Sequence, residues 1–234
     1  MPQSGNHLLA VLPALEFLRL QPLLTRVTLA PKTTIWEANQ AVQAVHFPLD
    51  AVVSIFTATD DGGTVEVGSV GCEGLVGLPV LFGSDCSTSH ALVQIGGEAE
   101  QMSVAAFRTA VEQSPGLRRL LHLYALAFLS QISQSTACNR LHAAEQRLVR
   151  WLLVCRDRVG RDELPVTHES MALTLGVRRA TVTEAAGELQ RRGLIRYRRG
   201  ALTILDRAGL EAIACECYSV VRGEFDRLLG VRVG

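Results

Sequence analysis

The stretch Glu169–Ile195, ESMALTLGVRRATVTEAAGELQRRGLI, decides the fold of the C-terminal part of the chain. Apolar residues recur at helical spacing in both halves, and Gly176 lies between the halves. The stretch therefore predicts two short amphipathic helices joined by a tight turn. The predicted inward-facing positions are Met171, Ala172, Leu175, Val182, Ala186 and Leu189. The positions left facing outward at the start of the second helix are Arg178, Arg179, Thr181 and Thr183.

Basic residues are disfavoured in the first turn of a helix by a few tenths of a kcal/mol, so these arginines need a reason. The next segments, LIRYRR, Gly200 and ALTIL, predict a β-hairpin. Two helices followed by a hairpin form the winged helix-turn-helix pattern, whose second helix enters the DNA major groove. Arginine–guanine contacts worth about 1–3 kcal/mol each would outweigh the unfavourable placement. The alternative is a helical hairpin with an ordinary solvated arginine face.

Charge is uneven along a chain whose formal net charge is zero. Residues 158–207 hold 10 basic and 6 acidic side chains, whereas residues 1–157 hold 10 basic and 13 acidic ones. A local positive excess fits a polyanionic partner. It agrees with the expectation that the arginine-bearing segment meets DNA.

Upstream, from Val27 to about Val104, the sequence consists of short β-type runs separated by turns. Examples are AVHFPL, AVVSIFTAT, TVEVGSV and HALVQIGGEAEQMSV. Many short strands at nearly regular spacing predict an antiparallel roll or barrel. The glycine-rich run GCEGLVGLPVLFG interrupts the strands and predicts a loop with unusual backbone angles.

The segment from Leu117 to about Arg158 contains neither proline nor glycine. It predicts one helix of roughly 40 residues, about 60 Å long. Apolar residues at heptad spacing predict a seam with a partner helix. The alternative is a helix packed against its own roll. The predicted dimer-interface residues are Leu117, Leu121, Tyr124, Phe128 and Ile132.

Three stretches together resemble the Crp–Fnr superfamily of bacterial transcription regulators. They are VHFPLDAVVSI…VEVGSVGCEGLVG, AEQRLVRWLL and LPVTHESMALTLGVRRATVTEAAGELQRRGLIRYRRGALTILD. The resemblance implies a homodimer that binds palindromic promoter DNA and contacts RNA polymerase. It is looser in the roll than in the helix-turn-helix. The predicted DNA-binding residues are Thr167, Arg178, Arg179, Thr181, Thr183, Glu184, Arg196, Arg198 and Arg199.

The sequence departs from the family pattern at the sites of two known effectors. Members that bind cyclic nucleotides carry a Gly-Glu pair followed by an arginine for the phosphate. Here Glu73 is present, but no arginine lies between Gly71 and Gln101, which argues against cyclic AMP. No cysteine precedes Cys72, which argues against the N-terminal iron–sulfur cluster of the oxygen-sensing branch.

Two further positions separate this sequence from well-known family members. Where their recognition helix carries Glu and, four residues later, Arg, this chain has Ala180 and Glu184. A different preferred DNA sequence is therefore expected. Effectors of the family often bridge the roll and the long helix. The predicted pocket residues are Glu73, Gly74, Ser133 and Gln134.

Other chemistry has little support in the sequence. The six cysteines show no metal-ligand spacing, so reduced thiols in a cytoplasmic protein are expected. Cys215 and Cys217 are predicted on opposite faces of one helix, unable to chelate together, and Cys138 is expected to be a buried thiol or to face its twin in a dimer. His142 and Glu145 are a weak metal pair. No metal site, catalytic set, membrane span or secretion signal is predicted.

These observations predict an α+β protein with three parts. Residues 1–114 form an antiparallel β-roll (a double-stranded β-helix) that acts as a sensor, residues 115–158 a long dimerisation helix, and residues 159–234 a winged helix-turn-helix. The expected function is a sequence-specific transcription regulator with an effector other than cyclic AMP, or none. The alternative is a small-molecule or redox sensor in which DNA binding is secondary or ligand-independent.

Overall fold

The computed structural model describes residues 4–60 and 62–230. The outer limits of the predicted first and last parts, at residues 1 and 234, therefore lie outside the described residues. The chain opens with two short helices and a single 3-10 turn, and seven strands and two helices follow. The bounds are α1 His7–Ala10, α2 Ala14–Leu20, β1 Thr25–Leu29, β2 Thr34–Trp36, β3 Ala44–Pro48, β4 Val52–Ala58, β5 Thr64–Val70, α3 Leu78–Leu81, β6 His90–Ile95, β7 Gly97–Ser103 and α4 Val104–Gln113.

The seven strands form two antiparallel sheets. One has the order β1-β7-β3 and the other the order β2-β6-β4-β5. Apolar side chains of both sheets meet in one core, for example Phe47 from β3, Val53 from β4 and Met102 from β7. This arrangement confirms the predicted antiparallel roll. Side chains alternate between the two faces of each sheet, and one face of each sheet is buried in the shared interior. The glycine-rich run 71–83 is a loop around α3, and Gly77 has a φ of 120° there.

The single long helix predicted over residues 117–158 is wrong. The structure has two helices, α5 Pro115–Leu141 and α6 Ala144–Val159. His142 and Ala143 between them are extended, and the backbone N–H of Ala143 donates to Gln146 Oε1 at 3.2 Å. The chain turns here because α5 packs on the roll whereas α6 enters a second core. No described helix, α5 included, is long and apolar enough to cross a membrane.

The heptad seam predicted on α5 lies inside its own subunit. Leu117, Leu121, Tyr124 and Phe128 are all buried in the core of the roll, and the Tyr124 hydroxyl donates to the Leu75 carbonyl oxygen at 3.0 Å. These side chains leave no surface for a partner helix, so their assignment to a dimer interface is corrected to an intrachain contact. Ile132, the fifth predicted interface residue, is half-buried against the same core.

The second core lies under the C-terminal half of the chain. Leu152 from α6, Met171 and Leu189 meet there. Two helices followed by a hairpin confirm the predicted winged helix-turn-helix, and a short strand before the helices adds an edge to its sheet, in the order β8-β10-β9. The bounds are β8 Glu163–Leu164, α7 His168–Leu175, α8 Arg179–Arg191, β9 Ile195–Arg198 and β10 Ala201–Ile204.

The tail beyond Asp206 forms two helices, α9 Arg207–Ile213 and α10 Cys217–Leu229. The placement of Cys215 and Cys217 on opposite faces of one helix is therefore wrong, because Cys215 lies in the bend before α10 begins. The second tail helix returns to the roll and packs along α5, where the Phe225 ring meets Tyr124 edge-on at 6.3 Å.

A buried ion pair fastens the second core to the first. Arg158, near the end of α6, contacts Glu73 of the glycine-rich loop at 2.7 Å, and each side chain is 3% exposed. The same guanidinium donates to the Ser69 hydroxyl at 2.6 Å and to Gln131 Oε1 of α5 at 2.9 Å. The other hydrogen bonds of the Arg158 guanidinium offset part of the cost of burying this charge pair, whereas Glu73 Oε2 has no hydrogen-bond partner among the described residues.

Glu73→Gln tests this attachment. The variant leaves the Arg158 cation buried without its counter-charge, so we expect it to lower the free energy of unfolding by about 3–5 kcal/mol. Urea denaturation followed by circular dichroism measures the change. The matched control is Glu98→Gln, which removes a surface pair with Arg26 at 3.8 Å and should change stability by less than about 1 kcal/mol. Equal losses in the two variants would contradict the role given to the buried pair.

Candidate nucleic-acid interface

Local hydrogen bonds fix the two helices of the helix-turn-helix. The Thr167 hydroxyl caps α7 by accepting from the Ser170 N–H at 3.1 Å, and the Ser170 hydroxyl accepts from the Thr167 N–H at 3.0 Å. This reciprocal pair satisfies the first donors of the helix. Gly176 ends α7 with a φ of 60°, in the left-handed region that glycine occupies without strain. Its conformation sets the angle at which α8 leaves the turn.

The second helix, α8, buries one face and exposes the start of the other. Val182, Ala186 and Leu189 are buried in the second core, as the spacing predicts. Arg178 is the N-cap of α8 and Arg179 its first residue, and both are exposed. The structure also places Thr183 and Glu184 on the surface, while Thr181 is half-buried.

The hairpin carries a second group of cations beside α8. Strands β9 and β10 pair so that Arg198 lies opposite Ala201, with Arg199 and Gly200 forming the connection. Both connecting residues have positive φ, 46° and 84°, as in the tight two-residue hairpins that match the twist of the strands. Arg196, Arg198 and Arg199 are exposed around this turn.

The arginines of the helix-turn-helix and wing fall into two groups. At the far end of α8, Arg191 pairs with Glu188, and Arg192 pairs with Glu145 at 3.2 Å. The second group lies at the start of α8 and around the wing, and it forms no ion pair within residues 4–60 and 62–230. No acidic residue occupies the first turn of α8. Cations left without local counter-charges are available to phosphates and base edges. The members of this group are Arg178, Arg179, Arg196, Arg198 and Arg199.

An aromatic contact that the sequence did not reveal holds the wing against the two helices. The ring of His168 in α7 stacks on Tyr197 of β9, with centroids 4.2 Å apart, and its Nδ1 lies 3.0 Å from the Thr183 hydroxyl. Gln190 Oε1 also accepts from the Tyr197 N–H at 2.8 Å. Burial, with a contribution from the positive charge of Arg179, lowers the pKa of His168 and favours the neutral ring.

Two of the predicted DNA-binding side chains are already engaged within the chain. The Thr167 hydroxyl is the cap described above. The Thr183 hydroxyl donates to the Arg179 carbonyl oxygen at 3.0 Å besides its contact with His168. Their hydroxyl groups thus position α7 and α8. The predicted side chains with charged ends exposed at the surface are the five arginines and Glu184.

The predicted effector pocket is not brought together. The Glu73 carboxylate is committed to Arg158, and a side chain on Gly74 would meet the Tyr124 ring, 2.6 Å from its Cε2. Ser133 is exposed on the outer face of α5, and the Gln134 amide donates to the Cys217 sulfur at 3.1 Å. Because these residues occupy four different environments, their assignment to one pocket is corrected.

A different cavity, of about 330 Å³, lies between the roll and the middle of α5. Its walls are apolar, with a few hydroxyls from Thr57 and the segment Ser87–Ser89, and no charged side chain of the described residues lines it. A charged ligand would lose its hydration here without gaining a counter-charge. The main apolar lining residues are Trp36, Ile55, Val67, Leu75, Phe82, Phe128, Leu129 and Ile132.

Comparison with known proteins agrees with this geometry. A model of the Crp-like helix-turn-helix domain matches residues 146–213. The chain is 26% identical over 214 residues to the nitrogen fixation regulation protein FixK of Bradyrhizobium diazoefficiens. The aligned region covers 87% of each protein. It is 38% identical over 76 residues to the transcriptional regulator SdrP of Thermus thermophilus, covering 32% of this chain and 37% of SdrP.

The solved structure of FixK2 from Bradyrhizobium japonicum shares the fold. It superposes with a TM-score of 0.69 at 14% sequence identity, over 82% of this chain and 98% of that chain. The match therefore extends well beyond the helix-turn-helix.

The uncharged cavity generates a prediction about cyclic AMP. We expect isothermal titration calorimetry to detect no binding at micromolar concentration, because the cavity supplies no cation for the cyclic phosphate. An uncharged apolar dye such as Nile red should bind instead. Ile132→Trp, which narrows the cavity, should lower the affinity for the dye. Micromolar binding of cyclic AMP would show that a cation outside the described lining reaches the phosphate.

Proposed function

We propose that this chain, as a member of the Crp–Fnr superfamily of transcription regulators, binds promoter DNA as a homodimer. In each subunit α8 enters the major groove and the wing lies along the adjacent backbone. The observation that carries this proposal is the group of five exposed arginines without ion pairs at the start of α8 and around the wing. Arg191 and Arg192, on the same unit, are neutralised by acidic neighbours.

The two arginine positions support different roles. Arg179 lies in the first turn of α8, the part of a recognition helix that reaches base edges in the major groove. Arg198 and Arg199 lie at the tip of a hairpin, where phosphates flanking the groove are within reach. We therefore assign base reading to Arg179 and backbone binding to the wing.

The outer face of α5 supports the dimer. With the inner face buried on the roll, a second stripe at heptad spacing remains, and its centre is apolar: Leu126 is 47% and Leu129 57% exposed. Two parallel copies meeting along this stripe would place both helix-turn-helix units at the same end, as a palindromic site requires. The stripe comprises Arg119, His122, Leu126, Leu129, Ser133, Thr136 and Arg140.

The division into functional parts follows the helix break. Leu148 and Leu152 of α6 are fully buried in the second core, and the matched family model starts at residue 146. We therefore propose that the DNA-binding unit begins at Ala144 rather than at residue 159, and that α5 alone is the dimerisation helix.

The cavity favours a regulator that responds to a ligand over one that acts constitutively. It lies between the roll and α5, and Leu129 contributes to both the cavity and the outer stripe. The walls suit an uncharged, largely apolar small molecule. The proposal also includes a contact between the DNA-bound dimer and RNA polymerase, and a location of the protein in the cytoplasm.

The DNA proposal predicts a contrast between Arg179→Ala and Arg198→Ala. Loss of a bidentate base contact should weaken binding to the cognate site by about 1–3 kcal/mol and flatten the preference at one symmetric base position. Loss of a phosphate contact should weaken all sequences alike and reduce the salt slope by roughly one unit. Fluorescence anisotropy on single-base variants of a selected site, at several salt concentrations, measures both effects.

Arg191→Ala is the matched control, because this arginine is on the same helix but is paired with Glu188. It should leave affinity and salt slope nearly unchanged. An equal loss for Arg179→Ala on cognate and scrambled DNA would assign Arg179 to the phosphates instead of the bases.

The dimer proposal predicts that Leu126→Asp combined with Leu129→Asp yields monomers, because charges would be buried in an apolar seam. Sedimentation velocity measures the mass, and circular dichroism checks the fold. Leu15→Asp is the matched control, since Leu15 is 73% exposed on α2, outside the stripe. An unchanged dimer in the double variant would place the interface elsewhere.

A further inference from the structure

Four potential metal ligands meet where α5 ends and α10 begins. They are Cys138 in the last turn of α5, His142 directly after it, Cys215 in the bend before α10, and Cys217 at the first position of α10. One ligand atom from each residue lies within 4.8 Å of the other three. All three cysteines are buried, with exposures of 0%, 4% and 0%, so their proximity is part of the packed interior.

We propose that this cluster binds a single Zn²⁺ ion through three thiolates and one imidazole. The distance between the sulfurs of Cys138 and Cys215 is 3.7 Å, and the Cys217 sulfur lies 3.4 Å from His142 Nδ1. A tetrahedral zinc ion with its usual bond lengths holds two sulfurs about 3.8 Å apart and a sulfur and a nitrogen about 3.5 Å apart. These two separations match edges of a tetrahedron around zinc, and the four ligand atoms all lie within 4.8 Å of one another.

The donor set selects the type of metal. Thiolate and imidazole favour zinc over magnesium or calcium, which prefer oxygen ligands, and three cysteines with one histidine form a closed structural site. An iron–sulfur cluster places its irons and sulfides between the cysteines and needs the thiolates further apart. A disulfide would join Cys138 and Cys215 at about 2.05 Å, far shorter than the observed separation.

The groups around the cluster are arranged as in metal sites. His142 Nε2 faces Glu216 Oε1 at 3.4 Å, which orients the ring so that Nδ1 points to the sulfurs. Such carboxylate–histidine pairs fix the imidazole of a metal ligand. The Gln134 amide donates to the Cys217 sulfur at 3.1 Å, which suits a thiolate acceptor.

The four ligands come from three segments of the chain, and two of these, the helices α5 and α10, also pack along each other. The ion would tie the end of α5, the extended break at His142 and the start of α10 into one unit. Since α6 leaves α5 at this break, the metal would fix the direction in which the DNA-binding unit departs. This last consequence rests on the proposed function, whereas the metal site itself does not.

The test is the metal content of the full-length protein purified under reducing conditions, measured by inductively coupled plasma mass spectrometry. We expect one zinc per chain. Cys138→Ser, Cys217→Ser and His142→Ala should each lose it, whereas Cys86→Ser, at an exposed cysteine outside the cluster, should retain it. His142→Cys should restore binding, because a fourth thiolate also completes a zinc site.

A second measurement separates lost binding from lost folding. Co²⁺ added to the apo-protein should produce the visible bands of tetrahedral thiolate coordination in the wild type and in Cys86→Ser, and not in Cys217→Ser. Removal of zinc by a chelator should lower the melting temperature of the wild type and leave that of Cys217→Ser unchanged, since only the bound ion adds stability.

Three outcomes would overturn the proposal. They are a metal-free protein that also fails to take up Zn²⁺ under reducing conditions, an absorption spectrum of an iron–sulfur cluster, and a Cys138–Cys215 disulfide that persists in the reduced preparation. None of these measurements involves DNA. Failure of the zinc site is therefore distinguishable from failure of the DNA-binding proposal, which Arg179→Ala tests with the metal content unchanged.

Discussion

The salt bridge between Arg158 and Glu73 is the contact on which the arrangement of the molecule depends. It joins the end of α6 to the glycine-rich loop of the roll at 2.7 Å, and both side chains are buried. Hydrogen bonds from the same guanidinium to Ser69 and Gln131 attach α6 to β5 and α5 at one point. Because a buried cation is stable only with its partners in place, roll, α5 and α6 keep one mutual orientation.

The helix α5 carries much of the remaining connection between the two halves, and α7 also packs on β5 and α6 on β4. The inner face of α5 closes the core of the roll, its outer stripe is exposed, and its end meets α10 at the cysteine–histidine cluster. The cavity opens along its middle, beside Phe128 and Ile132. A single helix thus borders the site proposed for a ligand, the site proposed for a metal and the surface proposed for a second subunit.

The local elements were predictable because short-range rules determine them. The strand Thr64–Val70 has the bounds of the run TVEVGSV, and the caps Thr167 and Gly176 are residue types that begin and end helices. The assignment of faces on α5 was not predictable from spacing. Two heptad stripes run along this helix, and the more apolar one, which includes Leu121, fills the core of its own subunit instead of a dimer seam.

The cluster at the end of α5 escaped sequence analysis for a different reason. Its members come from two distant parts of the chain. Cys138 and Cys215 are 77 residues apart in the sequence, and no local motif marks them. Their approach requires both the unmarked break at His142 and the bend before Cys217. Tertiary packing produces both, so periodicity within either segment carries no sign of them. The same is true of the stack between His168 and Tyr197.

The position of Leu129 links two equilibria. Its side chain forms part of the cavity wall and is also 57% exposed on the outer stripe. A molecule in the cavity and a second subunit on the stripe would therefore share one side chain whose rotamer both of them constrain. Thermodynamic linkage makes such an effect reciprocal: the factor by which the ligand changes the dimerisation constant equals the factor by which dimerisation changes the ligand's affinity. Apparent ligand affinity in this protein would then depend on protein concentration.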